Sequence, residues 1–153
     1  MALTESIIKA VGSWHGKSKL HQSWLEGDQK IQECDSEFHI DLSEKNDYAL
    51  ITYRWAYDGK PEEGALMLMG ASKGDKHTGS WADTWHMNSA IMKLSGYQEE
   101  GVVKLTGSYA VGDSPDWGWR IELYPTADKL TMKMFNITHT GEEVWAVEAV
   151  YTR

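Results

Sequence analysis

The stretch VVKLTGSYAVGDSPDWGWRIELY, residues 102–124, decides the fold because it contains two strands and the turn between them. Apolar and polar side chains alternate through most of it, which is the period-two pattern of a strand with one buried face. The segment GDSP at 112–115 interrupts this alternation with turn-forming residues. Lys104 marks the outward face of the first strand, so the residues at odd distances from it along the strand should face inward. Those inward residues are Val103, Leu105, Gly107 and Tyr109.

The same alternation recurs along the chain between short turns such as Asp58-Gly59. It predicts ten strands, at 14–24, 33–42, 48–57, 63–72, 79–87, 92–98, 102–111, 117–124, 129–137 and 143–152. Before them, the spacing of apolar residues at 3–11 predicts one short helix, which Thr4 or Ser6 caps and which ends at Gly12.

Ten short strands joined by tight turns predict an all-β fold, an antiparallel up-and-down barrel with a short N-terminal helix. Closure removes the two exposed edges of the sheet, and the short connections leave little room for the crossing loops of a Greek key. A β-sandwich is the alternative. No linker or composition shift divides the chain, so we expect a single barrel domain over residues 1–153. A barrel of this size can hold one small ligand.

The net charge of the chain argues against two classes of partner. The chain has 23 acidic and 15 basic residues and a net charge of −8, which argues against binding to nucleic acid or to an anionic membrane surface.

Cys34 is the single cysteine, so no internal disulfide can form. The first residues lack the features of a signal peptide. We therefore expect a cytoplasmic protein of bacterial type, and we leave a homodimer open.

Tryptophan is unusually frequent, with eight copies against two of phenylalanine, and it is densest in WADTWH at 81–86. If this segment is one regular strand, Trp81, Asp83 and Trp85 share one face. His86 then lies on the other face, so it cannot form a simple pair with Asp83. A carboxylate between two indole rings is a candidate for binding a ligand donor.

Inward phases in the later strands add to this candidate cavity. Lys133 and Glu122 mark outward faces, so the residues directly before and after each of them should face inward. The strand with Met67 and Met69 is apolar on both sides, and its phase stays undecided. Tryptophan and methionine can line a cavity for apolar ligands or simply fill the core. The candidate ligand-binding residues are Tyr53, Trp55, Trp81, Asp83, Trp85, Tyr109, Trp117, Trp119, Met132, Met134 and Asn136.

Two residues could carry acid/base chemistry. A buried Asp83 would have a raised pKa unless donors hold its charged form, and a carboxyl of that kind can act as a general acid or base. His86 is the alternative if the strand phase differs. Each residue could equally have a structural role, which leaves open whether the protein is an enzyme and favours one that is not. The six histidines show no metal-ligand spacing, so we expect no metal.

The segment Gly12-Ser13-Trp14 resembles the G-x-W element of lipocalins and related calycins. In that family the tryptophan closes one end of the barrel against an arginine from a late strand, which implies a partnership of Trp14 with Arg153 or Arg120. Arg120 could also stack on the neighbouring tryptophans.

A larger part of the chain resembles an uncharacterised bacterial family of lipocalin-like domains of unknown function. The similar segments are 12–16, 79–87 and 148–153. This resemblance implies a calycin barrel over nearly the whole length and no established activity. Haem-binding barrels of related shape use a histidine from the late strands, where this chain has only His139, in a turn. We therefore expect no cofactor and keep haem as a lesser alternative.

Three functions fit the sequence. The first is a binding protein that holds a small apolar or aromatic molecule among tryptophans, methionines and Asp83. The second is a small enzyme that uses Asp83 or His86 as acid/base. The third is a structural barrel whose interior is filled by its own side chains.

Overall fold

The computed structural model describes residues 3–71, 74 and 76–153. Ten antiparallel strands close into a barrel in which each strand pairs with its neighbours in the chain and the first pairs with the last, which confirms the predicted fold. The elements are α1 (Glu5–Lys9), β1 (Gly12–His21), a 3-10 turn (Gly27–Gln29), β2 (Ile31–Leu42), β3 (Tyr48–Tyr57), β4 (Lys60–Met69), β5 (Lys76–Asp83), β6 (Met92–Glu99), β7 (Val102–Val111), β8 (Ser114–Pro125), β9 (Lys129–Ile137) and β10 (Glu143–Thr152).

Half of the predicted strand bounds agree with the structure to the residue, and the others differ by one to four residues. β4 begins at Lys60 rather than at residue 63, because the positive φ angles of Asp58 and Gly59 form a tight turn that lets Tyr57 pair with Lys60. The predicted end of that strand, Ser72, lies outside the described residues. β5 ends four residues earlier than predicted, at Asp83.

The barrel interior contains the side chains that alternation placed there. Val103, Leu105, Met132 and Met134 are buried, as their predicted phases require. The undecided strand, β4, turns its leucines inward and its methionines outward. Leu66 and Leu68 are buried, Met67 is exposed, and Met69 is partly exposed.

The two ends of the barrel differ in what covers them. At the end that we call the helix end, α1 packs against the barrel through buried Ile7, and Ser6 Oγ donates to the carbonyl of Gly101 at 2.7 Å. The opposite end, which we call the indole end, is where β3 and β5 finish and β8 begins. Its aromatic residues include Trp55, Trp85, His86, Trp117 and Trp119.

The barrel wall is incomplete at the indole end. The β2–β3 ladder stops at the pair Glu37 and Arg54, so the ladder leaves residues 55–57 without partners on β2. The β6–β7 ladder likewise ends at Ser95 and Thr106, and the described residues nearer the indole end are not paired across it. Side chains bridge the first gap, where Ser36 Oγ donates to the Arg54 carbonyl at 2.7 Å.

Candidate ligand-binding site

The carboxylate of Asp83 ends β5 and turns the chain. Its Oδ1 accepts hydrogen bonds from the backbone N–H groups of Trp85 at 2.9 Å and His86 at 2.8 Å. Such side-chain-to-backbone bonds compete with continued strand pairing. The period-two alternation therefore stops at Asp83, and the prediction that it separates Asp83 from His86 is wrong.

The turn brings the His86 ring to the same carboxylate. His86 Nδ1 lies 3.1 Å from Asp83 Oδ1, within ion-pair distance. Asp83 Oδ2 accepts from the Tyr53 hydroxyl at 2.7 Å, and that hydroxyl accepts from Trp81 Nε1 at 3.0 Å. A buried chain of polar groups therefore runs from Trp81 to His86.

The environment holds Asp83 in its charged form. Burial alone would raise the pKa of Asp83, but the contacts with His86 and the hydrogen bond from Tyr53 outweigh it and lower that pKa from its ordinary value of 3.8. Burial, followed by the Asp83 charge, raises the pKa of Tyr53 well above its ordinary value of 10.0. At neutral pH the pair is a carboxylate and a neutral phenol.

Four indole rings surround the His86 imidazole. The ring centroids lie 4.7 Å away for Trp85, 5.3 Å for Trp119, 5.7 Å for Trp55 and 5.9 Å for Trp81. The side chain of His86 is 11% exposed, and its Nε2 is buried without a hydrogen-bond partner. His86 therefore occupies the centre of the aromatic cluster.

The interior beside His86 contains only a small cavity, of about 10 Å³. This volume suits about one water molecule. Its lining residues are Ser18, Leu20, Tyr53, Trp55, Asp83, His86, Met132, Met134 and Val147. Side chains therefore fill nearly all of this part of the barrel.

The predicted site residues fall into three groups. Tyr53, Trp55, Asp83, Met132 and Met134 line the cavity. A second group packs around His86 and consists of Trp81, Trp85 and Trp119. The third group lies nearer the rim, where Tyr109 donates a hydrogen bond to Asn136 and lies opposite Trp117 on the neighbouring strand.

Sequence reasoning missed Ser18, Leu20 and Val147, which also line the cavity. The signal was present for β1, because Ser18 and Leu20 keep the inward phase of Trp14. Val147 follows an irregularity in the β9–β10 pairing, where Trp145 and Val147 face consecutive partners. A bulge of this kind shifts the phase and hides an inward residue from simple alternation.

At the helix end the Arg153 guanidinium lies 4.3 Å from the centroid of Trp14. Arg153 also donates to the carbonyls of Val11 at 2.9 Å and Lys9 at 2.8 Å. Of the two arginines considered as the partner of Trp14, Arg153 therefore occupies that position.

The expectation that Arg120 stacks on tryptophans or closes the barrel is wrong. Arg120 alternates with the inward Trp119, so it lies on the outer face over the ring of Phe135. There it forms ion pairs with Glu122 and Glu143. The outward Glu122 is only 4% exposed.

Metal ligands are not grouped in the described part of the chain. Among residues 3–71, 74 and 76–153, no three His, Cys, Asp or Glu side chains lie close enough to hold a metal ion. His139 is exposed in the turn between β9 and β10.

These features define a closed ten-stranded antiparallel barrel with an aromatic cluster at one end. The chain belongs to the family described as "Protein of unknown function (DUF1579)", whose model matches residues 4–153. No curated protein matches the sequence. No helix among the described residues is long and apolar enough to cross a membrane.

Two solved structures share this fold. Rv2717c from M. tuberculosis has a TM-score of 0.62 and 15% identity, with 99% of this chain and 98% of that chain covered. The S-type phycobiliprotein lyase CPES from Guillardia theta has a TM-score of 0.59 and 17% identity, with 100% of this chain and 93% of that chain covered. At these identities the likeness concerns the fold alone.

Proposed function

We propose that the protein binds a small apolar or aromatic molecule at the indole end of its barrel. The observation that carries this proposal is the position of Trp55. Trp55 is a lining residue of the interior cavity and also of an outer groove of about 460 Å³, and it lies where β2 and β3 no longer pair. Trp55 therefore lies between the outer groove and the aromatic interior.

Binding requires side chains to move, because a cavity of about 10 Å³ is smaller than any aromatic ring. The unpaired parts of the wall favour this movement, since they open without breaking ladder hydrogen bonds. Met132 and Met134 line the cavity, and the flexible side chain of methionine adapts to apolar partners of different shapes. The closed barrel is then the ligand-free state.

The enzyme alternative has less support. Both oxygens of Asp83 already accept hydrogen bonds, from Tyr53 and from the turn backbone, so the carboxylate fixes the position of His86. The phycobiliprotein lyase shares the fold, and at 17% identity its activity does not carry over to this chain. We propose no cofactor and no nucleic-acid partner.

Tryptophan fluorescence and thermal unfolding test the proposal. Trp24 is 65% exposed, so Trp24→Phe removes a background signal and serves as the parent. We expect ethylbenzene or acetophenone to change the remaining emission saturably and to raise the Tm. Failure of both probes up to their solubility limits would support the filled, structural barrel instead.

A matched pair of variants locates the binding. Val147→Ile adds one methylene to the cavity wall, whereas Val150→Ile adds the same group to the opposite, outer face of β10. We expect Val147→Ile to weaken binding by about tenfold and Val150→Ile to leave it unchanged. Equal effects in the two variants would place the probe outside the cavity and overturn the proposal.

A further inference from the structure

We propose that the site selects ligands that carry a neutral hydrogen-bond acceptor, such as a carbonyl oxygen, on an apolar or aromatic body. This inference rests on the proposed function and adds the polar chemistry of the ligand. It is drawn from hydrogen-bonding groups at the indole end that are buried without partners.

Among the described residues, three indole N–H groups are buried without an acceptor, those of Trp55, Trp117 and Trp119. Trp55 is 8% exposed and Trp119 is 4% exposed, and the Nε1 atom of each lacks a hydrogen-bond partner. An indole nitrogen is a donor only, so these groups call for an acceptor from the ligand. Leaving a donor buried and unpaired costs about 1–3 kcal/mol.

Water in the cavity does not remove this requirement. The cavity of about 10 Å³ holds about one water molecule, whereas Trp55, Trp119 and the nearby Trp117 each have an unpaired Nε1. Trp55 lines the cavity, and Trp119 packs against His86, which lines it too. A ligand oxygen placed beside these rings would satisfy donors that the protein alone leaves unsatisfied.

The acceptor should be neutral because the same wall already holds a charge. Asp83 lines the cavity as a carboxylate, and its side chain is fully buried. A second anion nearby would be repelled more strongly than in water, because the interior has a low effective dielectric constant.

Three ligands of nearly equal shape test the inference in the Trp24→Phe parent. Acetophenone carries a neutral acceptor, ethylbenzene carries none, and benzoate carries an anion. We expect acetophenone to bind about tenfold more tightly than ethylbenzene, which corresponds to about one hydrogen bond, and benzoate to bind more weakly than acetophenone. Titration calorimetry or fluorescence gives the three dissociation constants.

Phenylalanine variants assign the donor. Trp55→Phe keeps an aromatic ring and removes the N–H, so the preference for acetophenone over ethylbenzene should fall to about threefold or less. Trp119→Phe provides the same test if Trp55→Phe does not fold. Trp14→Phe is the control, because the Trp14 N–H already bonds to the Ala10 carbonyl at the helix end. In this control the preference should not change.

The outcomes separate the inference from the proposed function. Equal affinity for acetophenone and ethylbenzene, or tighter binding of benzoate than of acetophenone, would overturn the inference while the proposed function stands. A preference that persists in both Trp55→Phe and Trp119→Phe would also overturn the assignment of the donors. Absence of binding by all three ligands would instead overturn the proposed function.

Discussion

The helix end and the indole end of the barrel treat the tryptophan N–H group in opposite ways. At the helix end, Trp14 Nε1 donates to the Ala10 carbonyl at 2.8 Å, and Arg153 covers the ring. At the indole end, Trp55 and Trp119 are also buried, but their N–H groups have no partner. At the helix end the indole N–H group therefore contributes a hydrogen bond to the fold. At the indole end, folding leaves the indole N–H groups without hydrogen bonds.

Strand pairing is also more complete at the helix end than at the indole end. Near the helix end the β2–β3 ladder continues to Leu42 and Ala49, and the β6–β7 ladder continues to Glu99 and Val102. Both ladders stop before the indole end. Because local opening is easiest where few hydrogen bonds must break, the indole end should be the less stable part of the barrel.

The largest expected effect comes from removing one indole at each end. Trp14→Phe removes buried atoms and leaves the Ala10 carbonyl without its donor, so the free energy of unfolding should fall by about 3 kcal/mol. Trp119→Phe removes similar atoms together with an unpaired N–H, so its loss should be about 1 kcal/mol. Urea denaturation of both variants measures the difference. Equal losses would mean that the N–H groups at the two ends are equally satisfied.

The next effect concerns the carboxylate that forms the turn. Asp83→Asn gives a side chain with one acceptor oxygen, so at least one present donor loses its partner and stability at pH 7 should fall by about 2 kcal/mol. Because folding lowers the pKa of Asp83, its charge stabilises the fold above the ordinary value of 3.8, and this contribution is lost as the pH falls through the folded pKa. The difference in the free energy of unfolding between the parent and Asp83→Asn should therefore become smaller below about pH 4.

A matched variant controls for general effects of charge. Asp116 is exposed on β8, so Asp116→Asn should leave the free energy of unfolding close to that of the parent at pH 7 and at pH 3.5. Denaturation at both pH values gives the comparison. A gap for Asp83→Asn that stays constant between them would show that the Asp83 charge does not contribute as proposed.

The barrel could be predicted from sequence because alternation is a local property. Lys104 and Lys133 reported the phase of their strands directly, and tight turns such as Asp58-Gly59 marked where strands change. The cluster around His86 could not be predicted in this way. The bonds from Asp83 to the backbone of Trp85 and His86 end the strand, and no periodicity reports them.

The volume of the interior was also beyond the sequence. Whether indoles line a cavity or fill it depends on how their rings meet across the barrel, as when Trp81 stacks on Trp119 at 5.2 Å from a distant strand. Periodicity gives the inward face of each residue but not the residue opposite. The same limit applied to β4, whose two apolar faces gave no phase until packing placed Leu66 and Leu68 inside.

A smaller effect should follow from weakening the bridge across the β2–β3 gap. Ser36→Ala removes the hydrogen bond to the Arg54 carbonyl and the contact with the Tyr151 hydroxyl at 2.8 Å, with an expected loss of about 1.5 kcal/mol. Hydrogen exchange should report this change locally. The Ala56 amide, whose partner is the distant Cys34 Sγ at 3.4 Å, should exchange faster than the Thr52 amide, and the variant should widen that difference.

A control on the outer face accompanies this measurement. Ser13 is exposed on β1 and its hydroxyl contacts His39, so Ser13→Ala should leave the exchange of Ala56 unchanged. If the Ala56 and Thr52 amides exchange at equal rates in the parent, the gap in the β2–β3 ladder does not weaken the barrel wall. The proposal that a ligand enters beside Trp55 then loses its main support.

The smallest effect tests the helix end through Arg153. Arg153→Met retains an extended apolar stem but removes two hydrogen bonds to the carbonyls of Val11 and Lys9 and the cation–π contact with Trp14. Because Arg153 is exposed to solvent, we expect a loss of about 1 kcal/mol in the free energy of unfolding. Arg54→Met is the matched control, since its long ion pair with Glu63 at 3.7 Å is exposed and should contribute almost nothing. Ligand affinity at the indole end should be the same in both variants. A change in that affinity with Arg153→Met would mean that the two ends are coupled through the barrel, and the division of stability and binding between them would have to be abandoned.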